Sequence, residues 1–243
     1  LAGWTLNTNL PGMTLKNLAI SGSVMDLVLN ESSVISTDAS ATTLTLVNSL
    51  YTDSSNNLVG GFTSQSLISK ATPVLLSAVT QDTNANNKID TILATFSTTL
   101  TGATTGWSVG NLAAGSAYTG AVTFSGNTAK FSLGETSLTS DAGQIPALSY
   151  TPGNLADADG NTLPAITNKT VADGIYPVML SRVTRDANGN GKIDSLKLAF
   201  SEPINDNTTG LNLAVSGYTV SGYDTTCDGS VAQDDTLCVL VNE

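Results

Sequence analysis

The chain has no histidine and only two cysteines, Cys227 and Cys238, in 243 residues. Without histidine it lacks the commonest general base of enzymes, and two cysteines in one short stretch supply no thiol nucleophile that recurs along the chain. Its repeated acids lie in turn-like text, whereas the paired carboxylates of glycoside hydrolysis must face one another across a cleft. No catalytic residue is assigned, and an enzyme is not expected. Basic residues are scarce too. Nine Lys and Arg stand against 20 Asp and Glu, a net charge of −11 with a pI near 4.1. That balance speaks against nucleic-acid partners and anionic membrane surfaces, and for a solvated surface in a salty, cation-rich medium outside the cytoplasm. No signal peptide or membrane span is visible, so no membrane insertion is expected in this segment. Helical periodicity is missing as well: no stretch keeps it for three turns.

What the chain does have is internal repetition. The string DTNANNKID, Asp82 to Asp90, returns as DANGNGKID, Asp186 to Asp194, 104 residues later. The text before it returns as well, TPVLLSAVT ahead of the first copy and YPVMLSRVT ahead of the second. At the same offset Phe96-Ser97 matches Phe200-Ser201, Asp53 and Asn57 match Asp157 and Asn161, and Glu31 matches Glu135. Gly3-Trp4 matches Gly106-Trp107 one residue out of phase, and DTLCVLVNE, ending at Glu243, aligns with NTAKFSLGE and SVMDLVLNE. About four extra residues are expected in the last repeat, around Cys227 to Gln233. The expected organisation is the last two-thirds of one repeat over 1–71, a complete repeat over 72–175, and the first two-thirds of a third over 176–243, a window from a longer array.

The repeated segments alternate with period two. Ile92, Ala94 and Phe96 share one face and Thr91, Leu93 and Thr95 the other; Leu196, Leu198 and Phe200 repeat the plan. Ala129, Phe131 and Leu133 alternate in the same way, echoed by Met25, Leu27 and Leu29 and by Leu237, Val239 and Val241, and Leu148 and Tyr150 are echoed by Leu44 and Leu46. Units of about 100 residues with short alternating strands and frequent turns predict an all-β fold of tandem immunoglobulin-like antiparallel β-sandwich domains. The buried disulfide of antibody domains is absent, so the core rests on apolar burial. Cys227 falls in the extra segment and Cys238 aligns with Lys130 and Asp26, at an outward-facing strand position. Two free thiols are one reading; a local Cys227–Cys238 disulfide pinning the extra loop to its strand is the expectation, because exposed thiols are a liability outside the cell.

The repeated nine-residue string has the chemistry of a hard-cation loop. Asp82, Asn84, Asn86 and Asp90 offer side-chain oxygens at positions 1, 3, 5 and 9, with the backbone carbonyl of Lys88 at position 7; Asp186, Asn188, Asn190, Asp194 and Lys192 take these roles in the second copy. Two carboxylates nearly neutralise one Ca²⁺, the expected cofactor, and so small a charge predicts affinity in the range of about 10⁻⁴ to 10⁻³ M. Position 6 must turn sharply, which Gly191 allows and Asn87 tolerates. Each loop should join the first two strands of its unit, at the end nearest the next unit. The bland alternative is a metal-free turn rich in Asx caps, which gives no reason for two Asp eight residues apart in both copies. Asp157-Ala-Asp159-Gly-Asn161 reads as a hairpin turn rather than a second cation site, since its counterpart at Asp53 has one carboxylate fewer. Asp173 is an extra candidate ligand whose counterpart is Ser69. Trp4 and Trp107 read as core residues rather than sugar platforms.

The text from Tyr176 to Ile204, with PV, the DxNxNGxID loop and FSEPI, together with DADGN at Asp157–Asn161 and the linker ADGIYP, resembles the bacterial Ig-like repeats of S-layer proteins and large surface adhesins. The resemblance covers all three units; the loop and FSEP text are its specific part. It implies a structural segment of an extracellular surface layer, sheath or filament at the cell surface, with copies of itself as partners. The alternative it leaves open is a stalk or binding module of an adhesin, directed at glycans, for which the Cys-bracketed insertion is the visible candidate.

Overall fold

The structure is a computed structural model that describes residues 1–47, 51–205, 207–227 and 234–242. Among these residues there is no α-helix, and all the strand ladders are antiparallel. First come β1 (Trp4–Asn7), β2 (Thr14–Ser21), β3 (Val24–Asn30), β4 (Thr43–Leu46) and β5 (Phe62–Ser66). The central segment holds β6 (Leu75–Gln81), β7 (Thr91–Phe96), β8 (Trp107–Gly110), β9 (Ala117–Ser125), β10 (Thr128–Gly134), β11 (Ala147–Tyr150) and β12 (Ile166–Thr170). Last are β13 (Met179–Arg185), β14 (Ser195–Phe200), β15 (Val220–Asp224) and β16 (Thr236–Val241).

The strands repeat where the text repeats. The bounds of β3, β4, β5, β6 and β7 recur 104 residues later as those of β10, β11, β12, β13 and β14. Strand order recurs too: β6-β7-β10-β9 is matched by β13-β14-β16-β15, and β8-β11-β12 by β1-β4-β5, with β2 and β3 forming a separate hairpin.

The period-two text explains the core. On β7, Ile92, Ala94 and Phe96 are fully buried while the residues between them are half-buried; on β10 Ala129, Phe131 and Leu133 turn inward and Lys130 and Ser132 outward. Phe131 lies opposite Ile92, and Ala129 opposite Ala94. Across from this face stand Trp107 on β8 and Leu148 and Tyr150 on β11, so one buried cluster draws on both sheets in a β-sandwich-like arrangement. Trp107 meets Phe131 edge-on at 4.8 Å and Tyr150 at 4.6 Å between ring centroids, separations at which aromatic pairs attract beyond their buried area. The glycine before each Trp has a steric reason. The Gly106 (φ +90°) carbonyl accepts from Thr151 N–H at 2.9 Å, and a Cβ there would collide with the Thr151 carbonyl; Gly3 (φ +80°) stands in the same relation to Val47. Trp4 packs on Tyr51 and Phe62. Both indole N–H groups are buried without an acceptor, the same desolvation cost at both positions.

The Phe-Ser text also has a purpose. Ser97 Oγ accepts from Val74 N–H at 3.0 Å and Ser201 Oγ from Val178 N–H at 2.9 Å, while the Ser97 and Ser201 amides donate back to the carbonyls of Val74 and Val178. Each serine thus clips the strand that follows a Pro-Val pair.

Two expectations need correction. Cys238 is not outward-facing in the manner of Lys130: it is fully buried, because it is bonded to Cys227, which lies over it. The extra segment that the sulfur bridge brackets lies largely outside the described residues, as does Glu243. Leu196, Leu198 and Phe200 are only half-buried, unlike their counterparts on β7. The described strands after them, β15 and β16, both join the same sheet, so among the described residues no second sheet covers that face as β8, β11 and β12 cover β7.

Phe131→Ala is expected to cost about 3–5 kcal/mol in urea denaturation, by lost transfer energy and the cavity left behind. Lys130→Ala, one residue away on the outer face, should stay within about 0.5 kcal/mol. Equal costs would show that β10 does not face the core as described.

Candidate functional site

The two repeated loops join equivalent strands, 82–90 between β6 and β7 and 186–194 between β13 and β14. Each is closed at its base by a backbone bond from the ninth residue: Asp90 N–H to Gln81 at 3.1 Å, Asp194 N–H to Arg185 at 3.0 Å. In both, the first aspartate gathers the amides of the turn. Asp82 accepts from Asn86 N–H (3.2 Å) and Asn87 N–H (2.7 Å). Asp186 accepts from Gly189 (2.7 Å), Asn190 (3.0 Å) and Gly191 (2.7 Å). The fifth residue then accepts from the seventh, Asn86 Oδ1 from Lys88 N–H at 3.1 Å and Asn190 Oδ1 from Lys192 N–H at 2.9 Å; Asn188 Oδ1 accepts from Asn190 N–H at 3.0 Å.

The ninth aspartate closes the loop from the other side. Asp90 Oδ2 accepts from Thr83 N–H (2.9 Å) and Thr83 Oγ1 (2.6 Å), and Asp194 Oδ2 from Ala187 N–H (2.8 Å) and Asn188 N–H (3.3 Å). Position 6 has the anticipated positive φ, +70° at Asn87 and +87° at Gly191. Position 4 has it as well, at Ala85 (+60°) and Gly189 (+74°), which the sequence reading passed over. Alanine is strained in that region, so the first loop is held less cheaply than the second.

The loops differ in what surrounds them. Residues 186–192 are exposed. The first loop is braced by the segment after β10: Asn84 Nδ2 donates to Glu135 Oε1 at 2.6 Å, Asn86 Nδ2 to Glu135 Oε2 at 2.8 Å, and Lys88 Nζ to the Thr136 carbonyl at 3.0 Å. Asp141, buried, accepts from Ile89 N–H at 2.7 Å, and Ser140 Oγ donates to the Asn87 carbonyl at 2.8 Å. Asp82, Ala85 and Asn87 also line a cleft of about 270 Å³ with Gly174, Ile175, Tyr176 and Val178 of the linker between β12 and β13. Glu135 was missed as a loop residue, although its return at Glu31 and Glu243 was visible. A contact 51 residues distant leaves no local pattern.

The donors suit a hard cation in kind. They are carboxylate and amide oxygens, and in the first loop Asp90 Oδ1 is buried with no hydrogen-bond partner, a lone pair available to a ligand. Among the described residues no three His, Cys, Asp or Glu side chains form a metal cluster. A cation here would draw on two aspartates of a loop with amide and carbonyl oxygens. Asp194 is suited to stay ionised: desolvation acts to raise its pKa, but hydrogen bonds from Ser195, Ala187 and Asn188 and the charge of Arg185 outweigh it and hold it below the usual value.

The other acidic turn is structural. Asp157 Oδ1 accepts from Asp159 N–H at 3.0 Å and Asn161 N–H at 2.8 Å, and the turn grips the linker before β6: Asp159 Oδ2 accepts from Ser69 N–H at 2.8 Å and Asn161 Nδ2 donates to the Ser69 carbonyl at 3.0 Å. Asp53 and Asn57 repeat the internal bonds.

No protein-family model, curated protein or solved structure matches the chain.

Because hydrogen bonding depresses the Asp194 pKa from 3.8, its stabilising contribution is present above that value and is lost as pH falls through the lower folded one. Carbon-13 titration in chelator should give Asp194 a midpoint below 3.8, with Ser195→Ala moving it upward. A midpoint above the unfolded value would refute the hydrogen-bond pattern.

Proposed function

We propose that the chain is a structural segment of an extracellular surface layer, sheath or filament, built from tandem immunoglobulin-like units and stiffened by Ca²⁺ in the loops 82–90 and 186–194. The units are 1–71, 72–175 and 176–243. The observation that carries this reading is the recurrence, 104 residues apart, of the same strand bounds and the same aspartate-centred loop frame. A frame rebuilt with different neighbours in two places is explained by what the loop itself holds. The absence of histidine and the −11 charge support a passive, acidic, cation-responsive surface.

In each loop Asp82 and Asp90, or Asp186 and Asp194, would supply the charge, with Asn84, Asn86 and Lys88, or Asn188, Asn190 and Lys192, supplying neutral oxygens. The cation removes the repulsion between the two carboxylates and draws both ends of the loop together. Beside the 174–178 linker, such tightening in the first loop would restrain the passage from one unit to the next.

At about ten to a hundred times its dissociation constant, Ca²⁺ should stabilise by about 1.4–2.7 kcal/mol per site. Calorimetry should therefore show a melting temperature that rises with millimolar Ca²⁺ and falls with EGTA. Asp186→Ala should remove one of two binding events in titration calorimetry and leave the other. An unchanged melting temperature in EGTA would end the calcium reading.

Acting by assembly, the chain should form ordered layers or filaments on adding Ca²⁺, beyond the effect of NaCl at matched ionic strength in light scattering. A rod that stays monomeric at every Ca²⁺ level and binds a glycan saturably would replace the array with an adhesive stalk.

A further inference from the structure

Asn-Gly occurs twice in the 243 residues, as Asn188-Gly189 and Asn190-Gly191, and both pairs fall inside the loop 186–194. The equivalent positions of the loop 82–90 read Asn84-Ala85 and Asn86-Asn87. The difference is chemical. An asparagine amide carbon can be attacked by the backbone nitrogen of the next residue, and glycine alone puts no Cβ in the way of that approach.

The second loop holds the reacting groups in a defined balance. Each asparagine side chain folds back along the backbone that follows it: Asn188 Oδ1 accepts from Asn190 N–H at 3.0 Å, and Asn190 Oδ1 from Lys192 N–H at 2.9 Å. These are Asx turns. A donor on Oδ1 draws charge from the amide carbon and stabilises the oxyanion that forms when that carbon is attacked. A Cβ on Gly189 or Gly191 would meet nothing within 4 Å, and residues 186–192 are exposed, so water and hydroxide reach the loop. Asp186 opposes the reaction. It accepts from both attacking nitrogens, Gly189 N–H and Gly191 N–H, each at 2.7 Å. Hydrogen bonds to a carboxylate hold those amides in place, and its negative charge disfavours the amide anion that attack requires. In the first loop the residues after Asn84 and Asn86 carry side chains, and both Nδ2 groups are fastened to Glu135, at 2.6 and 2.8 Å.

We propose that Asn188 and Asn190 are sites of spontaneous deamidation, restrained by Asp186, while Asn84 and Asn86 in the matching frame are not. Hydroxide removes the proton of the Gly189 or Gly191 amide, and that nitrogen bonds to Cγ of the preceding asparagine. The Cγ–Nδ2 bond breaks, and Nδ2 takes a proton from water and leaves as ammonia. A water molecule then opens the succinimide at either carbonyl, giving aspartate or isoaspartate. Each event adds one negative charge to a loop that begins with the carboxylates of Asp186 and Asp194. The chemistry needs no cation. One consequence rests on the calcium reading: an aspartate at 188 or 190 puts charge where that reading has a neutral oxygen, which tightens binding.

The test ages the whole chain in EGTA at pH 6 and pH 8 and maps its peptides by mass. Aspartate and isoaspartate should accumulate at 188 and 190, faster at pH 8, with none at 84 and 86. Gly189→Ala combined with Gly191→Asn gives the second loop the followers of the first, where Ala85 and Asn87 hold the same positive φ; the frame should survive and the product disappear. Asp186→Ala should speed the reaction by about tenfold or more, through loss of hydrogen bonds to a charged acceptor. Asp82→Ala, which releases the amides of the first loop, should leave Asn84 and Asn86 intact. Calcium titration of Asn190→Asp reads the consequence separately: affinity no higher than wild type sinks the link to calcium and leaves the mass result standing. Intact asparagine at 188 and 190 after ageing at pH 8, or equal product in the double variant, overturns the site, and an unchanged or slower rate in Asp186→Ala overturns the restraint.

Discussion

Trp107 must enter the space between two sheets, and much of the central segment is arranged around that insertion. Its ring is wide, so Phe131 and Tyr150 meet it edge-on or tilted within 5 Å, and Ala94 and Ala129 stay small on the strands facing it. The residue before it must be glycine because the opposite chain passes too close for a Cβ. Of the 13 aromatic residues in the whole chain, Phe96, Phe131, Tyr150 and Trp107 are concentrated in this core, with Ile92, Leu148, Leu155, Leu163 and Val171 filling the space around them. Aromatic burial contributes more per residue than aliphatic burial, which lets short strands of four to nine residues form a stable layer pair.

The rim of this sandwich-like body is where the repeated acids lie, and they do two different jobs. In 157–161 the aspartates fold a turn and hold another part of the chain. In 82–90 and 186–194 they turn backbone amides inward and aim two carboxylates into one small loop. The backbone of that frame is held by hydrogen bonds from the protein alone, with Asp90 Oδ1 left buried and unpartnered in the first loop, so a cation would meet a loop already shaped, with little ordering left to oppose binding.

How much of this was legible depended on range. Period two placed Ile92, Ala94, Phe96, Phe131 and Tyr150 inward, because pleat geometry is local and the repeat supplied the comparison. The positive φ at Gly191 and Asn87 was legible for the same reason. Glu135, Ser140 and Asp141 were not, since each reaches the first loop from about 50 residues away. The alignment of Cys238 with Lys130 pointed to the surface, yet a covalent partner reversed its environment. The half-buried state of Leu196 and Leu198 shows the converse: an apolar alternation states which face wants cover, not whether cover is present.

The grip of Asp159 and Asn161 on Ser69 spans some ninety residues. A contact of that span cannot form before the later turn exists, and closing so long a loop is entropically slow. As the chain emerges from its N-terminal end, Ser97 can clip Val74 early, but Ser69 stays unfastened until residue 161 has appeared. The stretch at Ser69 is therefore locked backward, only once the turn at 157–161 is complete. A chain interrupted before that turn would leave the stretch at Ser69 loose, a local signal of incompleteness that proteases can read.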